Sequence, residues 1–254
     1  ERILSIFGDV MTFGKSFGVY GVKGFDVDIA LPRKEIKVGE RHTDFRIDVD
    51  PFIGIEFACS RRDFTINAMM MDVLTNELID PYRGQQDLQA GILRHVNDDK
   101  FKEDALRVFR GAQFAARFQM RLSGDTKQLC QSIDTRYLSP ERIEDELKKA
   151  LLEADKPSIF FETLREINQL DDWFKELTQL VDLPQNPVYH PEGDVWTHTM
   201  LVLDAAVTYR HLCDNPYHFM MAALCHDLGK IEATEFIKGA YHAYGHEIKG
   251  LKIA

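Results

Sequence analysis

The chain has 254 residues, 44% of them hydrophobic, and a formal net charge of −10. That is enough apolar material for a sizeable core, in two or three domains at roughly 100–200 residues each, and it excludes a chain that is basic throughout. No apolar run approaches the ~20 residues of a membrane span and no charged-then-apolar leader opens the sequence, so a soluble cytoplasmic protein is expected.

Residues 1–94 read as a small α+β unit. Phe25 to Leu31 alternates, with Phe25, Val27, Ile29 and Leu31 on one face of a strand and Asp26 and Asp28 on the other. Pro32 ends that strand, and the charged, glycine-punctuated stretch Lys34 to Gly54 reads as a loop before Phe64 to Val73 turns apolar again. Asp80-Pro81-Tyr82-Arg83-Gly84 reads as a turn in which Gly84 relieves the backbone.

From about His95 the period becomes helical. Lys102 to Arg121 sets Ala105, Val108, Phe109, Ala112, Ala115 and Ala116 on one stripe and Arg107, Arg110, Phe114, Arg117 and Arg121 on another. Ser139-Pro140-Glu141 opens a further helix, with Ser139 as its cap and Ile143, Leu147, Ala150 and Leu151 as its buried side. Helices are also expected around 159–169 and 171–181. Pro184-Gln185-Asn186-Pro187 then marks a boundary before a last helical segment. The expected domains are 1–94, 95–183 and 184–254.

Charge is unevenly distributed. Ala105 to Arg121 carries four arginines and no acid, whereas Asp171 to Glu235 holds eleven acids against Lys175, Arg210 and Lys230. The middle of the chain therefore suits a polyanion better than the C-terminal third does. Cys59, Cys130, Cys213 and Cys225 show no CxxC spacing and read as reduced thiols.

Three constellations carry chemistry. Ser60-Arg61-Arg62-Asp63-Phe64-Thr65-Ile66-Asn67-Ala68 and Glu103-Asp104-Ala105-Leu106-Arg107-Val108-Phe109-Arg110 both set guanidinium forks beside carboxylates, and arginine grips phosphate bidentately. Asp104 and Arg107, three apart on the expected helix, offer an acceptor and a donor to a base edge, a pairing that suits cytosine and adenine and rejects uracil and guanine; a plain i,i+3 salt bridge is the other reading. Asp26 and Asp28 suit either a divalent-metal site or an exposed polar strand face. The third constellation is His198, then His226-Asp227, then His242 and His246, imidazoles and a carboxylate in the order of an HD-type metal site.

Taken together, the two arginine motifs resemble those of the tRNA nucleotidyltransferases of the bacterial and eukaryotic class, the CCA-adding enzymes, and their poly(A) polymerase relatives. The resemblance implies an α+β fold: a polymerase-β-like nucleotidyltransferase head, an all-α neck and body, and the start of an α-helical HD domain. It implies addition or repair of the tRNA 3′-terminal CCA from CTP and ATP with Mg²⁺, Asp28 and Asp26 being catalytic. Arg61, Arg62, Asp63, Asn67, Asp104, Arg107 and Arg110 are then nucleotide-binding, and Arg117, Arg121 and Arg142 tRNA-binding. His198, His226, Asp227 and His246 would hold a transition ion, Ni²⁺, Mn²⁺, Co²⁺ or Zn²⁺. In the family a loop equivalent to 34–50 carries a switching arginine, with Arg41 and Arg46 the candidates. Members also carry a first D-x-D before the stretch matched here, so a head missing its N-terminal carboxylates is expected, as is an HD site missing its closing Asp. Poly(A) polymerase, a CC- or A-adding enzyme and an HD phosphohydrolase with a nucleotide-binding head are the alternatives. Oligomeric state is left open.

Overall fold

The computed structural model describes residues 4–13, 19–30, 32–37, 45–50 and 52–253, with backbone alone at 13, 33–37 and 45–49. Arg41 lies outside the described residues, as does the side chain of Arg46. The chain forms two compact units, one of residues 1–84 and 96–104, the other of 85–95 and 105–254. The boundary expected at 94/95 is therefore crossed, because 96–104 joins the first unit.

In the first unit, β1 (Val10–Phe13), β2 (Val19–Val22) and β3 (Asp28–Ala30) form an antiparallel meander. The strand expected from Phe25 is shorter, and Asp26 lies two residues before it. Its apolar alternation does not bury a face either, since Phe25, Val27 and Ile29 are all exposed. Within the expected loop at 34–54 two strands pair antiparallel instead, β4 (Arg33–Lys37) against β5 (Phe45–Val49) in five-residue register. Their charges masked the two-residue alternation of Phe45, Ile47 and Val49, which was the available strand signal.

Next come α1 (Ile55–Ser60), β6 (Met70–Met71) and β7 (Leu78–Ile79). Asp72 Oδ1 accepts from the backbone N–H of Leu74 and Thr75 to close the β6–β7 turn. Positive φ falls on Arg83, at 60°, and not on Gly84. Gly84 is needed for a different reason: a Cβ there would stand 2.3 Å from the Thr65 carbonyl oxygen. Beyond α2 (Gly84–Ala90) and β8 (Ile92–Leu93), α3 (Asp98–Lys102) carries Phe101 into this unit's core. There Phe101 meets Phe64 edge to face with centroids 5.6 Å apart, both fully buried beside Cys59 and Ala68.

The second unit is mainly helical. Val108, Phe109, Ala112, Ala115 and Ala116 of the apolar stripe form the buried face of α4 (Leu106–Phe118), which packs on α6 (Pro140–Glu153) and α7 (Ser158–Glu166), whereas Ala105 precedes the helix and is half-buried. Helix α4 starts later than expected. Phe101 and Leu106 are anchored in different cores, so α3 ends at Lys102 and Asp104 lies between the helices. Gln119, left-handed at φ 52°, ends α4 and leads to β9 (Arg121–Leu122), which pairs in parallel with β8. Arg121 is thus a strand residue.

Helix α5 (Gly124–Gln131) precedes α6. Ser139 sits at the cap position of α6 without a side-chain cap bond, and Pro140 takes the first turn as read. Buried Gln169 ties the end of α5 by donating to the carbonyls of Cys130 and Ile133. The remaining elements are α8 (Lys175–Thr178), α9 (Val195–Ala206), α10 (Pro216–Cys225), α11 (Lys230–Ala233), β10 (Glu235–Ile237), β11 (Ala240–His242) and α12 (His246–Gly250). The body is helical apart from the two residues of β9, and the hairpin β10–β11 falls within residues 184–254, where an α-helical domain was expected. Lys238 and Gly239, both at positive φ, make the two-residue turn whose twist suits a hairpin.

Candidate functional site

In the first unit, Asp28 pairs with Gly21 on β3, and Asp26 and Asp28 are both exposed. Exposed carboxylate oxygens are the hard donors that Mg²⁺ takes. Helix α1 ends at Ser60, and a 3₁₀ turn covers Thr65–Asn67. The local cause is Asp63, buried at 7% exposure, whose Oδ1 accepts from the Phe64 N–H at 2.8 Å and from Asn67 Nδ2 at 3.0 Å. Asp63 and Asn67 thus hold one another on one side of the turn. Arg61 is half-buried and Arg62 exposed.

Asp104 belongs to the first unit and Arg107 to the first turn of α4 in the second. The expectation that both ride one helix is corrected, since the chain leaves helical geometry between Lys102 and Leu106.

On α4, Arg110 lies over Phe114 and Arg117 over Phe118, each 5.2 Å from the ring centroid. The acid-free run read from sequence does not stay acid-free in space. Helix α6 brings buried Glu146 to 3.8 Å from Arg110 and Glu153 to 2.5 Å from Arg117. Arg121 is exposed and Arg142 half-buried.

The histidines converge within the second unit. Asp194 caps α9 by accepting from the Thr197 N–H at 2.9 Å, which places His198 in the first turn. His226 caps the end of α10, Asp227 follows it at 2% exposure, and His246 opens α12. Nε2 of His226 and of His198 lie 3.2 and 3.6 Å from Asp227 Oδ2, and Nε2 of His246 lies 3.4 Å from Oδ1. All four residues read as metal ligands from sequence come together. His242 lies on β11 and lines the adjoining cavity.

The far nitrogens explain the chemistry. Nδ1 of His226 faces the Ala223 carbonyl at 2.8 Å, Nδ1 of His246 the Ala243 carbonyl at 2.8 Å, and Nδ1 of His198 a Glu192 carboxylate oxygen at 2.6 Å. Carbonyls and carboxylates only accept, so each Nδ1 carries a proton and each ring turns its Nε2 toward Asp227. His198, His226 and Asp227, whose ligand atoms lie within 4.8 Å of one another, form a set that fits a cation, and His246 faces the other Asp227 oxygen. Asp227 Oδ2 is buried without a well-directed hydrogen bond, although Lys230 Nζ stands 2.8 Å away and itself donates to Gln185 Oε1.

Burial pushes the Asp227 carboxyl up, but His226 and Lys230 outweigh it and hold the group well below the usual carboxylate range. Burial lowers His226, and Asp227 more than reverses that. Glu192 is drawn down to about 2 by its own backbone N–H and by His190 and His198. Beside the cluster opens a cavity of about 230 Å³ lined by Tyr189, Lys230, Tyr241, His242, Tyr244 and His246 among others.

Glu192, Lys230 and Gly229 were not singled out as site residues from sequence. Nothing in spacing alone shows which acceptor meets a histidine's far nitrogen.

The Poly A polymerase head domain family matches residues 22–94. The chain is similar to the multifunctional CCA protein of Actinobacillus pleuropneumoniae serotype 5b, 40% identical over 248 residues, which is 95% of this chain and 59% of that protein. It thus spans about three fifths of that relative's length. In fold it is similar to a tRNA-processing enzyme in an apo form, with TM-score 0.58 and 22% identity over 89% of this chain and 60% of that one. It is similar also to a tRNA nucleotidyltransferase complexed with a primer tRNA and an incoming ATP analog, with TM-score 0.53 and 23% identity over 85% of this chain and 64% of the other. Among the described residues no helix is long and apolar enough to cross a membrane.

Proposed function

We propose that the chain belongs to the tRNA nucleotidyltransferase and poly(A) polymerase family and that it takes part in adding or repairing the 3′-terminal CCA of tRNA from CTP and ATP, in the cytoplasm. The 40% identity to a multifunctional CCA protein, running across 95% of this chain, is the observation that carries the reading. In the reaction the tRNA 3′-hydroxyl attacks the α-phosphorus in line and pyrophosphate leaves. Arg61 and Arg62 bind triphosphate, with Asp63 and Asn67 fixing the turn that presents them. Asp104 and Arg107 read the base edge, with Arg110 beside them in sequence. Arg117, Arg121 and Arg142 meet tRNA phosphates. Asp26 and Asp28 are the residues that would hold Mg²⁺, which supplies positive charge to the reacting phosphates.

The test is calorimetric titration with the four nucleoside triphosphates. CTP and ATP should bind in preference to UTP and GTP, and Arg107→Ala should cost about 1–3 kcal/mol and blur the preference. Equal affinity for all four sinks the base-reading pair. Incorporation of CMP and then AMP into a tRNA transcript lacking its terminus separates CCA addition from poly(A) synthesis, which needs ATP alone.

A second activity is favoured by the histidine cluster. His198, His226, Asp227 and His246 form the start of an HD domain that holds a transition-metal ion, and the adjoining cavity gives a phosphoester room to reach it. His226→Ala should abolish metal retention after dialysis and leave CTP binding unchanged. Hydrolysis of a 2′,3′-cyclic nucleotide that persists in this variant would remove the assignment.

A further inference from the structure

Two overlapping sets of side chains in the second unit have the composition of a metal site: His198, His226 and Asp227, and His190, Glu192 and His198. They share His198, and distances separate them. An ion bound to nitrogen and oxygen at 2.0–2.2 Å keeps its donor atoms roughly 3–3.5 Å apart. The contacts around Asp227, 3.2 to 3.6 Å, have that spacing. Glu192 Oε1 stands only 2.6 Å from His198 Nδ1, which is hydrogen-bond distance and too short for two donors of one ion. The same oxygen also accepts from His190 Nδ1 at 3.0 Å, so it already serves two N–H groups.

We propose that Glu192 is a positioning residue of this cluster and not a ligand: by accepting from Nδ1 of His198 it fixes the ring in the tautomer whose Nε2 faces the ion, and by accepting from His190 it holds that ring out of the ligand set. The other two rings need no such carboxylate, because backbone carbonyls of Ala223 and Ala243 fill the role three residues before each histidine. At His198 the turn preceding α9 supplies a carboxylate, Glu192, instead. An outer carboxylate that orients a ligand histidine and raises its basicity is worth about 10–100-fold in metal affinity.

The inference rests on the reading of the cluster as a metal site, and the experiment keeps the two apart. The whole chain, as wild type, Glu192→Ala and Glu192→Gln, is titrated with Co²⁺, and the histidine tautomers of the metal-free proteins are read from long-range ¹⁵N–¹H correlations. Wild type should bind one Co²⁺ at the cluster, with His198 protonated on Nδ1. Glu192→Ala should keep that stoichiometry, lose about 10–100-fold in affinity and shift His198 toward the Nε2–H form. Glu192→Gln, whose amide oxygen still accepts, should stay within a few-fold of wild type and keep the tautomer. Two Co²⁺ on the wild type falling to one in Glu192→Ala would make Glu192 a ligand and overturn the inference. Unchanged affinity and tautomer in Glu192→Ala would overturn it as well. A wild type that takes up no Co²⁺ overturns the metal reading itself.

Discussion

A methyl group added at Gly229 would lie 1.8 Å from the His246 carbonyl oxygen and 2.5 Å from the Gly250 nitrogen. No rotamer relieves a backbone clash of that size, so Gly229→Ala should move α12 and carry His246 off the cluster. We expect at least a tenfold loss of Co²⁺ affinity with a lowered melting temperature, by titration and calorimetry; wild-type affinity would show that His246 is not a ligand. Asp63 is a different case, because its carboxylate is occupied by Phe64 and Asn67 inside its own turn. Asp63→Ala should cost about 1–3 kcal/mol of stability by stranding buried donors, whereas Asp63→Asn retains an acceptor and should fold normally. Denaturant melts of both variants decide between a structural and a purely ligand-binding carboxylate. Cys130 is pushed up to about 12 by burial, so thiolate-directed alkylation at pH 8 should leave it unmodified until the protein unfolds. Modification of the native protein at Cys130 would contradict its placement.

At the scale of elements, the start of α9 concentrates several duties. Asp194 accepts from the Thr197 N–H and, through its other oxygen, from the Asp182 N–H at 2.7 Å. Losing an N-cap costs about 1–2 kcal/mol, so Asp194→Ala should destabilise by about that much and weaken metal binding through a frayed first turn at His198. An equilibrium melt with a matched Co²⁺ titration measures both, and undiminished affinity would show that the cap is not needed to hold His198. The buried stripe of α4 and the Pro140 start of α6 were legible because helical period and first-turn chemistry are local. The β4–β5 pairing and the β10–β11 hairpin were not: charged strands imitate a loop, and a Lys-Gly turn lacks the usual Asn-Gly or Asp-Gly signal. The break between α3 and α4 was hidden too. Phe101 and Leu106 continue one apolar pattern and are buried in separate cores.

For the molecule as a whole, the histidine cluster could be read because His226 and Asp227 are adjacent and His198 and His246 flank them in sequence. The groups that make it work could not: Glu192 meets His198 only through the fold of its turn, and Lys230 meets Gln185 across 45 positions. The same limit applies to the unit boundary, where 96–104 rejoins residues 1–84. A fragment of residues 1–94 should therefore be poorly folded, having lost Phe101 from beside Phe64, whereas one of residues 1–104 should keep that packing. Amide hydrogen exchange around Phe64 distinguishes them, and equal protection in both would show Phe101 to be dispensable. The return of the chain also sets an order of events on the ribosome. When Gly84 has been made, the first unit still lacks the segment that closes its core, and the next eleven residues belong to the second. At 5–20 residues per second, roughly 1–4 s of further synthesis pass before Asp104 is added. Throughout that interval Phe64 has no aromatic partner, so the first core can close only after the chain has made the opening stretch of the second unit and come back.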